Sequence, residues 1–298
     1  MVKRILITGG DGQVGREFAE LPAADKVELI RVNRAQLDVT DAASIKRIIE
    51  LYQPHALINS AAYTAVDRAE TETEQAYAIN CEAARLLAIA CREHKVKLLH
   101  ISTDYVFDGT KPLEQTWLET DTCNPQSVYG ASKLAGEQAI LAELPDAFIL
   151  RTSWVFGRFG NNFVKTMLRL GAERDSLNVV NDQFGGPTHA LDIAATLVKA
   201  AGYLIDDKIA GGIYHYGGSP HCSWQQFAEA IMQAGVAHAM LERAPAVNGI
   251  PSSDYPTPAK RPANSQMNGN KLASALGIAP SNWQHGLDTC LSYWKSSA

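Results

Sequence analysis

The chain of 298 residues is poor in the features that mark membrane, secreted and nucleic-acid-binding proteins. No apolar run approaches the roughly 18 residues of a membrane span, and no signal peptide precedes the first predicted strand, so we expect a cytoplasmic protein. The net charge is −5 and the Lys and Arg residues form no cluster. Nucleic acid and anionic membranes are therefore not expected as partners.

Cysteine is also scarce, with five residues and no C-x-x-C pair among them. An odd, scattered set predicts free thiols in a reducing compartment and argues against a disulfide or zinc framework. The eight histidines show no metal-ligand spacing, and the acids around Glu17 form no recognisable site, so no required metal is expected. His215 is interpreted as a strand residue near the predicted cleft.

Apolar, strand-like runs alternate with helical patterns through the first half of the chain, which is 46% hydrophobic overall. This β-α-β-α order requires a parallel sheet with helices on both faces. It predicts an α/β fold with a Rossmann-type doubly wound parallel sheet. The predicted strands are residues 4–8, 27–32, 56–59, 97–102 and 147–151, and the predicted helices are residues 14–21, 42–52, 73–94 and 129–144.

A glycine-rich turn joins the first predicted strand to the first predicted helix. Gly9, Gly12 and Gly15 are spaced as G-x-x-G-x-x-G. Glycines at such positions permit a tight turn and a close approach of the backbone to a pyrophosphate. In the first strand-turn-helix unit of a chain, this spacing predicts a dinucleotide site.

After about residue 155 the pattern is less regular, and we expect a smaller α/β substrate-binding lobe there. The predicted division is an NAD(P)-binding domain at 1–155, to which segments around 176–216 return, and a lobe that takes most of 156–298. The predicted elements are helices at 162–173, 191–202, 223–234 and 283–295 and strands at 176–180 and 212–216. The segment 245–262 is too rich in proline for a helix interior or a central strand.

Tyr129 and Lys133 are four residues apart in the sequence Y-G-A-S-K. On a helix, residues at this spacing lie on one face, one turn apart. The ammonium would then favour the ionised phenol and lower its pKa from about 10, so that Tyr129 could exchange a proton near neutral pH. A surface pair has the same spacing, but the preceding dinucleotide motif favours the catalytic interpretation.

Three further segments should meet near the carboxyl ends of the predicted strands, where such folds bind ligands. Thr103 follows the fourth strand, and its hydroxyl can polarise a substrate carbonyl. The small residues of N-S-A-A-Y, from Asn59 to Tyr63, allow the backbone close to a nucleotide. Asn80, in the third helix, is either a structural amide or one that bonds backbone or a proton-relay water.

In this order, the motifs G-x-x-G-x-x-G, N-S-A-A-Y, S-T-D-Y-V-F and Y-G-A-S-K resemble the extended short-chain dehydrogenase/reductase superfamily. Within it, the chain is similar to the dTDP-4-dehydrorhamnose reductase family over nearly its full length. The longer segments that carry this similarity are A-A-Y-T-A-V-D from Ala61, R-T-S-W-V from Arg151, N-D-Q-F-G-G-P-T from Asn181 and Y-P-T-P-A-K-R-P from Tyr255.

The resemblance implies an oxidoreductase that uses NAD(P)H to reduce the C4 ketone of dTDP-4-dehydro-6-deoxy-L-mannose to dTDP-L-rhamnose, the last step of dTDP-rhamnose biosynthesis. It implies that Tyr129 protonates the carbonyl oxygen, that Lys133 lowers the tyrosine pKa and bonds the nicotinamide ribose, and that Thr103 binds the carbonyl. Asp104 and Trp154 are implied to contact the sugar, the indole offering an apolar face and one N–H. Ordinary core packing is the alternative for Trp154.

The cofactor is expected to be NADPH, with NADH also accepted. An NAD-preferring fold usually has an acid after the second strand, to bind the ribose 2′-hydroxyl. Asn33 and Arg34 occupy that region here, and Arg34 could pair with a 2′-phosphate. Asp38 and Val39 match the pair that flanks adenine in the superfamily. The expected cofactor-binding residues are Gly9, Gly12, Gln13, Val14, Asn33, Arg34, Asp38, Val39, Ala61, Ala62, Tyr63, Asn80, Tyr129 and Lys133.

For the nucleotide half of the substrate, Arg261 is the candidate diphosphate contact, because guanidinium geometry suits phosphate oxygens. A surface arginine among prolines is the alternative. The expected partner is thus a nucleotide sugar, and the chain is expected to be a monomer or a homodimer.

Two kinds of alternative stay open at this point: a nucleotide-sugar epimerase or dehydratase of the same superfamily, and a protein that is not an enzyme. A nucleotide-sugar dehydratase commonly has Asp-Glu directly after the threonine, whereas Tyr105 follows Asp104 here. An epimerase often needs a second acid or base at the cleft, for which Cys123 is the nearby thiol. A non-catalytic, NADP-binding regulatory subunit of methionine adenosyltransferase resembles the same family.

Overall fold

Strands of four or more residues occur in eight places in the computed structural model, which describes residues 2–297. They are β1 (Lys3–Thr8), β2 (Val27–Arg31), β3 (Ala56–Asn59), β4 (Lys97–Thr103), β5 (Phe148–Thr152), β6 (Ser176–Val180), β7 (Gly212–His215) and β8 (Ala246–Ile250). Six of them form one parallel sheet in the order β7-β5-β4-β3-β1-β2. The strand order reverses at β1, and doubly wound folds bind ligands in the crevice that such a reversal opens.

Helices connect the strands and cover both faces of this sheet. They are α1 (Gln13–Glu17), α2 (Ala42–Tyr52), α3 (Val66–Ala69), α4 (Thr73–Tyr77), α5 (Ala83–His94), α6 (Val128–Glu143), α7 (Phe163–Glu173), α8 (Ala190–Ile205), α9 (Trp224–Ala237), α10 (Asn270–Leu276) and α11 (Trp283–Ser296). A π-helical turn, Ala78–Glu82, joins α4 to α5. Between residues 2 and 297, no helix is long and apolar enough to cross a membrane.

Successive residues of β1 face opposite sides of the sheet, and both sides are buried. Ile5 and Ile7 belong to the core that α8 covers, whereas Leu6 belongs to the core beneath α2 and α5. Because both faces are covered, the strands are nearly continuous apolar runs, as predicted. The expected doubly wound α/β architecture is therefore confirmed.

The second lobe is assembled from shorter pieces. Strand β6 pairs in parallel with β8 outside the central sheet. Phe184–Gly185 lies between Cys222–Ser223 and Asn264–Ser265 in a small three-stranded sheet. An apolar core that includes Phe227 and Trp283 fills the space among α7, α9 and α11.

Most predicted elements are confirmed, and those at 42–52, 56–59 and 176–180 have the predicted bounds. The helix predicted at 14–21 is shorter, because α1 ends at Glu17 and a 3-10 turn, Phe18–Glu20, follows. The helix predicted at 73–94 contains the π-helical turn. Strand β8 lies within the proline-rich segment, but it is an edge strand between Pro245 and Pro251, where proline costs no ladder hydrogen bond.

Residues 176–216, which the sequence assigns partly to the first domain, divide between the two regions. Strand β7 joins the central sheet, and α8 packs against that sheet. Strand β6 lies outside it, in a separate two-stranded sheet. In β6, Leu177 and Val179 are buried while Ser176 and Asn178 are exposed. Such alternation suits a strand with one covered face, not a strand of a doubly covered sheet. The division at residue 155 stays a prediction.

Candidate active site

The glycine-rich turn lies at the carboxyl end of β1, against the segment that follows β3. Gly9 has a φ of +65°, and a Cβ there would lie 2.8 Å from the backbone nitrogen of Ala61. A Cβ on Gly15 would lie 2.1 Å from the carbonyl oxygen of Gly9. Glycine alone fits at both positions, so the turn carries no side chain there that would block a pyrophosphate.

Gln13 and Ala61 tie this turn to its surroundings. The amide nitrogen of Gln13 donates to the carbonyl oxygen of Val155 (3.1 Å), and its Oε1 accepts from the amide of Asn162 (3.0 Å). The N–H of Ala61 donates to Oδ1 of Asn59 (3.2 Å). Gln13 therefore joins the first turn to the chain beyond β5, a contact that the sequence did not predict.

The other residues predicted near this turn differ in their surroundings. Gly12 precedes α1 as its N-cap residue. Val14 packs against the core beneath α8, so its side chain points away from a ligand. Ala62 is half-buried beside Ala61.

The loop after β2 holds the residues predicted to read the adenosine ribose. Asn33 uses its side chain within the loop, where Oδ1 accepts from the backbone N–H groups two and three residues later (3.1 and 3.2 Å). Arg34 is exposed, and Val39 is half-buried. The carboxylate of Asp38 accepts from the hydroxyl and N–H of Thr40, and these hydrogen bonds lower its pKa.

Arg31, at the end of β2, is a candidate that the sequence did not single out. Its Nη1 donates to the carbonyl oxygen of Gly10 (3.4 Å), so the guanidinium lies against the glycine-rich turn. The structure thus offers two arginines after the second strand, of which Arg31 already contacts the turn. A charged residue at the carboxyl end of a parallel strand was the available signal.

Tyr129 is half-buried near the start of α6, where the Thr103 hydroxyl lies close enough to the phenol to lower its pKa. Gly130 allows the helix to approach, since a Cβ there would lie 2.2 Å from the carbonyl oxygen of Tyr105. Burial raises the pKa of Tyr129 to about 12, although the nearby Thr103 hydroxyl acts to lower it. The direction is opposite to the predicted lowering, and the phenol is held in its protonated form at neutral pH.

Lys133 lies one turn further along α6 and is 2% exposed. Its Nζ donates to the carbonyl oxygen of Ile101 (2.7 Å) and lies 3.0 Å from Nε2 of His100. Burial lowers the pKa of Lys133 to about 8, against the charge of Glu137, which raises it. Tyrosine and lysine lie on one helix as predicted, but the amine bonds to residues of β4.

Thr103 ends β4 and Asp104 follows it, both buried. The Thr103 hydroxyl donates to Oδ1 of Asp104 (3.0 Å) and accepts from the N–H of Tyr105 (3.2 Å). Burial raises the pKa of Asp104 to about 6, against hydrogen bonds from Ser265 and Thr103, which lower it. Among the described residues, Oδ2 of Asp104 has no hydrogen-bond partner, so it can accept one from a substrate hydroxyl.

Asn80 bonds backbone, one of the two arrangements that the sequence left open. Its Oδ1 accepts from the N–H of Tyr63 (2.9 Å), and its Nδ2 donates to the carbonyl oxygen of Tyr63 (3.1 Å) and to Oγ of Ser132 (3.0 Å). Asn80 lies in the π-helical turn, and a Cβ on Gly136 would lie 2.0 Å from its carbonyl oxygen. Asn80 therefore holds the segment after β3 against α6.

Trp154 is covered on both faces of its ring. Trp224 stacks on it with ring centroids 3.6 Å apart and planes 10° apart. Gly185 must cover the opposite face, because a Cβ there would lie 2.7 Å from Cε2 of the indole and the stacked ring leaves no such space on its own side. A sugar could therefore contact only the edge of the Trp154 ring, and not the open apolar face that the resemblance implies.

Arg261 is held by Asp67, which it contacts with two parallel hydrogen bonds of 3.0 Å. This pairing raises the pKa of Arg261 and lowers that of Asp67. A Cβ on Gly109 would lie 2.5 Å from Cα of Pro262, so the loop that carries Arg261 packs against the chain that follows β4. A diphosphate there would use the donors that Asp67 leaves free.

Cys123 and His215 have structural surroundings. The Cys123 sulfur lies 3.2 Å from Nη2 of Arg151, and burial raises the pKa of the thiol, which makes it a poor base at neutral pH. His215 lies in β7 and its Nδ1 bonds the carbonyl oxygen of Trp117 (3.1 Å). Within residues 2–297, no three His, Cys, Asp or Glu side chains are grouped as a metal site.

The structure brings Thr103, Asp104 and Tyr129 together at the carboxyl ends of the central strands, near the glycine-rich turn. It adds side chains that the sequence did not single out: Arg31, His100, Tyr105, Trp224 and Ser265. His100 and Tyr105 adjoin motifs that were recognised, so proximity in sequence was a usable signal. Trp224 and Ser265 are distant in sequence, and no signal in a single chain pairs them with Trp154 and Asp104.

The sequence matches the family described as RmlD substrate binding domain over residues 3–295. A dTDP-4-dehydrorhamnose reductase of Aggregatibacter actinomycetemcomitans is 47% identical over 292 residues, which cover 97% of this chain and 99% of that protein. A dTDP-4-dehydrorhamnose reductase of Sinorhizobium fredii is 41% identical over 283 residues, which cover 94% of this chain and 94% of that protein. A solved structure of the Bacillus anthracis dTDP-4-dehydrorhamnose reductase in complex with NADP is 35% identical, with a TM-score of 0.89, and the match covers 98% of this chain and 100% of that one.

Proposed function

The chain belongs to the dTDP-4-dehydrorhamnose reductase family, and on that premise we propose that it reduces the C4 ketone of dTDP-4-dehydro-6-deoxy-L-mannose to dTDP-L-rhamnose. The observation that carries the proposal is the contact of Tyr129 with Thr103 at the end of β4, near the glycine-rich turn. A proton donor and a carbonyl-binding hydroxyl beside a dinucleotide cradle are what this reduction requires, so the contact supports the proposal. The names of the relatives support the same reaction and substrate class.

NADPH is the proposed cofactor, with NADH also accepted. The turn from Gly9 to Gly15 fits a dinucleotide, because a Cβ at either glycine would collide with backbone. Arg31 and Arg34 supply positive charge after β2, where a 2′-phosphate would lie. The NADP complex of the Bacillus anthracis relative supports this choice. NADPH, when bound, supplies the hydride that reaches C4.

Tyr129 is the proposed proton donor. Its raised pKa, about 12, keeps the phenol protonated at neutral pH, which is the form that a reduction needs. An alkoxide is a stronger base than a phenolate, so the phenol gives up its proton as negative charge develops on the carbonyl oxygen. Lys133, one turn away, then favours the phenolate that remains. Thr103 is proposed to turn its hydroxyl from Asp104 to the substrate oxygen.

The substrate contacts follow from the same surroundings. Oδ2 of Asp104 is a free acceptor and is proposed to bind a sugar hydroxyl. Trp154, with both faces covered, is proposed to meet the sugar with the edge of its ring. Arg261 is proposed to bind the diphosphate while Asp67 holds its guanidinium in place.

The test is NADPH oxidation with dTDP-4-dehydro-L-rhamnose made in situ from dTDP-glucose, comparing wild type with Tyr129→Phe. Turnover by wild type and a loss of about a hundredfold or more in the variant are expected. Tyr105→Phe is the matched control, because the two rings are in contact (centroids 5.4 Å apart). The hydroxyl of Tyr129 lies beside the Thr103 side chain, whereas Tyr105 bonds Thr103 through its backbone N–H, which the substitution keeps.

Two outcomes would contradict the proposal. Solvent deuterium retained at C3 or C5 of the product would support an epimerase. No oxidation of NADPH by wild type with any 4-keto sugar, while the protein still binds NADPH, would support the regulatory-subunit alternative.

A further inference from the structure

Four buried polar side chains connect the end of β1 to Lys133. The Thr8 hydroxyl donates to Oδ1 of Asn59 (2.7 Å), whose Nδ2 lies 2.9 Å from Nδ1 of His100. Nε2 of the same imidazole lies 3.0 Å from Nζ of Lys133. All four residues are 2% exposed or less. A chain of contacts this deep in the fold has no solvent to reorient it, so its hydrogen bonds must be mutually consistent.

The sheet itself aligns three of these residues. Thr8 pairs with Asn59 across β1 and β3, and Asn59 pairs with His100 across β3 and β4. Residues in register on parallel strands point to the same face of the sheet, here the face that α5 and α6 cover. Lys133 completes the row from α6.

The imidazole in the middle of this row is neutral. Burial, and then the charge of Lys133, hold the pKa of His100 well below its ordinary value. A neutral imidazole has one N–H donor and one acceptor nitrogen, so it donates at one end and accepts at the other. The side-chain amide of Asn59 likewise has a donor end and an acceptor end.

The row therefore has two consistent arrangements. With Lys133 as an ammonium, Nε2 of His100 must accept, its Nδ1–H must donate, and the oxygen of the Asn59 amide must face it. With Lys133 as a neutral amine, Nε2–H donates to Nζ and Nδ1 accepts from the nitrogen of the Asn59 amide. The observed amide orientation, in which Thr8 and Ala61 both donate to Oδ1 of Asn59, is the second arrangement.

We propose that His100 is a positioning residue for Lys133, and that its tautomer follows the charge of that lysine and sets the orientation of the Asn59 amide. In the ammonium arrangement, Asn59 turns its nitrogen toward Thr8 and Ala61. The N–H of Ala61 then loses the shorter of its two hydrogen bonds, to Oδ1 of Asn59 (3.2 Å), and keeps the longer one to the Thr8 hydroxyl (3.4 Å). Ala61 lies against Gly9 in the predicted cofactor site. The charge of Lys133 is thereby coupled to the backbone that would receive the dinucleotide.

The link to the cofactor and to the proton donor rests on the proposed function, whereas the coupling between His100 and Lys133 does not. The titratable and charged groups around Lys133 are Glu137 and Tyr129 on its own helix, His100 and Asp104 from β4 and the turn after it, and Arg151 and Cys123 behind Glu137. Asp104 titrates near pH 6 and Tyr129 near pH 12, so a transition near pH 8 belongs to Lys133.

The direct experiment is two-bond ¹H–¹⁵N NMR of the full chain labelled in its histidine side chains, from pH 6.5 to 9.5. The signals of His100 are assigned by their loss in His100→Gln. We expect the Nδ1–H tautomer at the acidic end and the Nε2–H tautomer at the alkaline end, with a midpoint near the Lys133 pKa of about 8. Lys133→Met should show one tautomer at every pH. An unchanging tautomer in wild type, or the same exchange in Lys133→Met, would overturn the proposal.

Two variants of similar size add a kinetic readout. The glutamine of His100→Gln reaches the Nε2 position and can accept from Lys133, whereas the asparagine of His100→Asn reaches only the Nδ1 position. We expect kcat of His100→Gln to exceed that of His100→Asn by about tenfold or more, because the second variant removes a hydrogen bond to a charged group. The alkaline limb of the kcat profile should move to lower pH in His100→Asn alone.

The two experiments fail separately. A tautomer exchange without any reductase activity would refute the proposed function and leave the role of His100 intact. Reductase activity with equal kcat and equal pH profiles in the two His100 variants would refute the positioning role and leave the proposed function intact.

Discussion

The two regions around the crevice place their side chains by different means. In the central sheet, Thr8, Asn59 and Thr103 are the last residues of neighbouring parallel strands, and the register of the backbone decides which residues become neighbours. At the second lobe, Trp154 packs against the apolar core and is fixed by stacking on Trp224. Arg261, from the loop before a two-residue strand, is fixed by an ion pair. The end of β4 thus positions Thr103 and Asp104, whereas side-chain contacts position Trp154 and Arg261.

This difference has an energetic counterpart. Around the central strands, charged groups are buried and paired. Glu137 contacts Arg151, for example, and each side chain is about 2% exposed. In the second lobe, the ion pair of Arg169 with Glu173 on α7 is exposed. Buried pairs cannot lose one partner without leaving an uncompensated charge, whereas exposed pairs are replaced by water. The sheet region should therefore tolerate charge removal far less than the second lobe.

The largest expected effect comes from Glu137→Gln, which removes the carboxylate that receives two hydrogen bonds from Arg151 (2.9 and 2.6 Å). We expect the free energy of unfolding to fall by about 3–5 kcal/mol, because Arg151 stays buried without its partner. Glu173→Gln in the second lobe should cost no more than about 0.5 kcal/mol. Urea unfolding at pH 7.5 measures both, and similar losses in the two variants would break the comparison.

The second effect concerns Asp104, which follows the central strand β4. Its buried carboxylate has a free acceptor oxygen, and burying that charge destabilises the fold. Its pKa is raised to about 6, from an ordinary value of 3.8, so the folded state binds more protons than the unfolded state between these values. Stability should fall as the pH rises from about 4 to about 6, and the penalty is fully present above pH 6. Asp104→Asn should therefore stabilise the protein at pH 7.5 by roughly 3 kcal/mol, while kcat/KM falls by about tenfold or more.

Asp192→Asn is the control for Asp104→Asn, because the pKa of Asp192 is shifted in the opposite direction. Although burial raises the pKa of Asp192, the His189 ring 3.8 Å away and a hydrogen bond from Ser281 (2.6 Å) leave it below the ordinary value. Asp192 therefore stabilises the fold above that value, and the stability is lost on acidification. Asp192→Asn should destabilise the protein at pH 7.5. If both variants shift the urea midpoint in the same direction, the interpretation of Asp104 is wrong.

A smaller effect is expected from Trp224→Ala in the second lobe. Without its stacking partner, the indole of Trp154 loses one of the two surfaces that fix it, and an aromatic pair is worth about 0.5–1.5 kcal/mol. We expect KM for the nucleotide sugar to rise by up to about tenfold, with kcat little changed. Trp224→Phe keeps a stacking ring and should show a smaller rise. A fall in kcat at constant KM would mean that this region also positions the reacting atoms.

The same contrast explains how far the sequence alone could be interpreted. In the sheet region, residue type and period determine register, so the turn after β1, the threonine at the end of β4 and the Tyr–Lys pair were predictable from short motifs. The second lobe was less predictable because its small sheets join residues such as Phe184 and Asn264 that are 80 positions apart, in strands of two residues. Two residues carry no period from which pairing could be inferred.

Burial was the other quantity that the sequence did not supply. The spacing of Tyr129 and Lys133 predicted a lowered phenol pKa, because an i,i+4 pair was considered without its surroundings. In the structure the side chain of Lys133 bonds to Ile101 and His100, and desolvation dominates both groups, raising the pKa of the phenol and lowering that of the amine. A motif states which residues are adjacent, but the sign of a pKa shift depends on everything that packs around them.

The smallest expected effect tests whether contact or sequence position selects the cofactor-binding arginine. Arg31 and Arg34 are both exposed, but the guanidinium of Arg31 contacts the carbonyl oxygen of Gly10 in the glycine-rich turn, whereas the sequence singled out Arg34. An ordered guanidinium loses less conformational entropy when it pairs with a 2′-phosphate, so Arg31 should contribute more. We expect Arg31→Ala to lower the NADPH-to-NADH ratio of kcat/KM by up to about fivefold, the range of a partly exposed ion pair, and Arg34→Ala to lower it less. Equal ratios in wild type and both variants would mean that neither arginine reads the 2′-phosphate. A larger change in Arg34→Ala would show that position along the chain predicts the contact better than the geometry of the turn does.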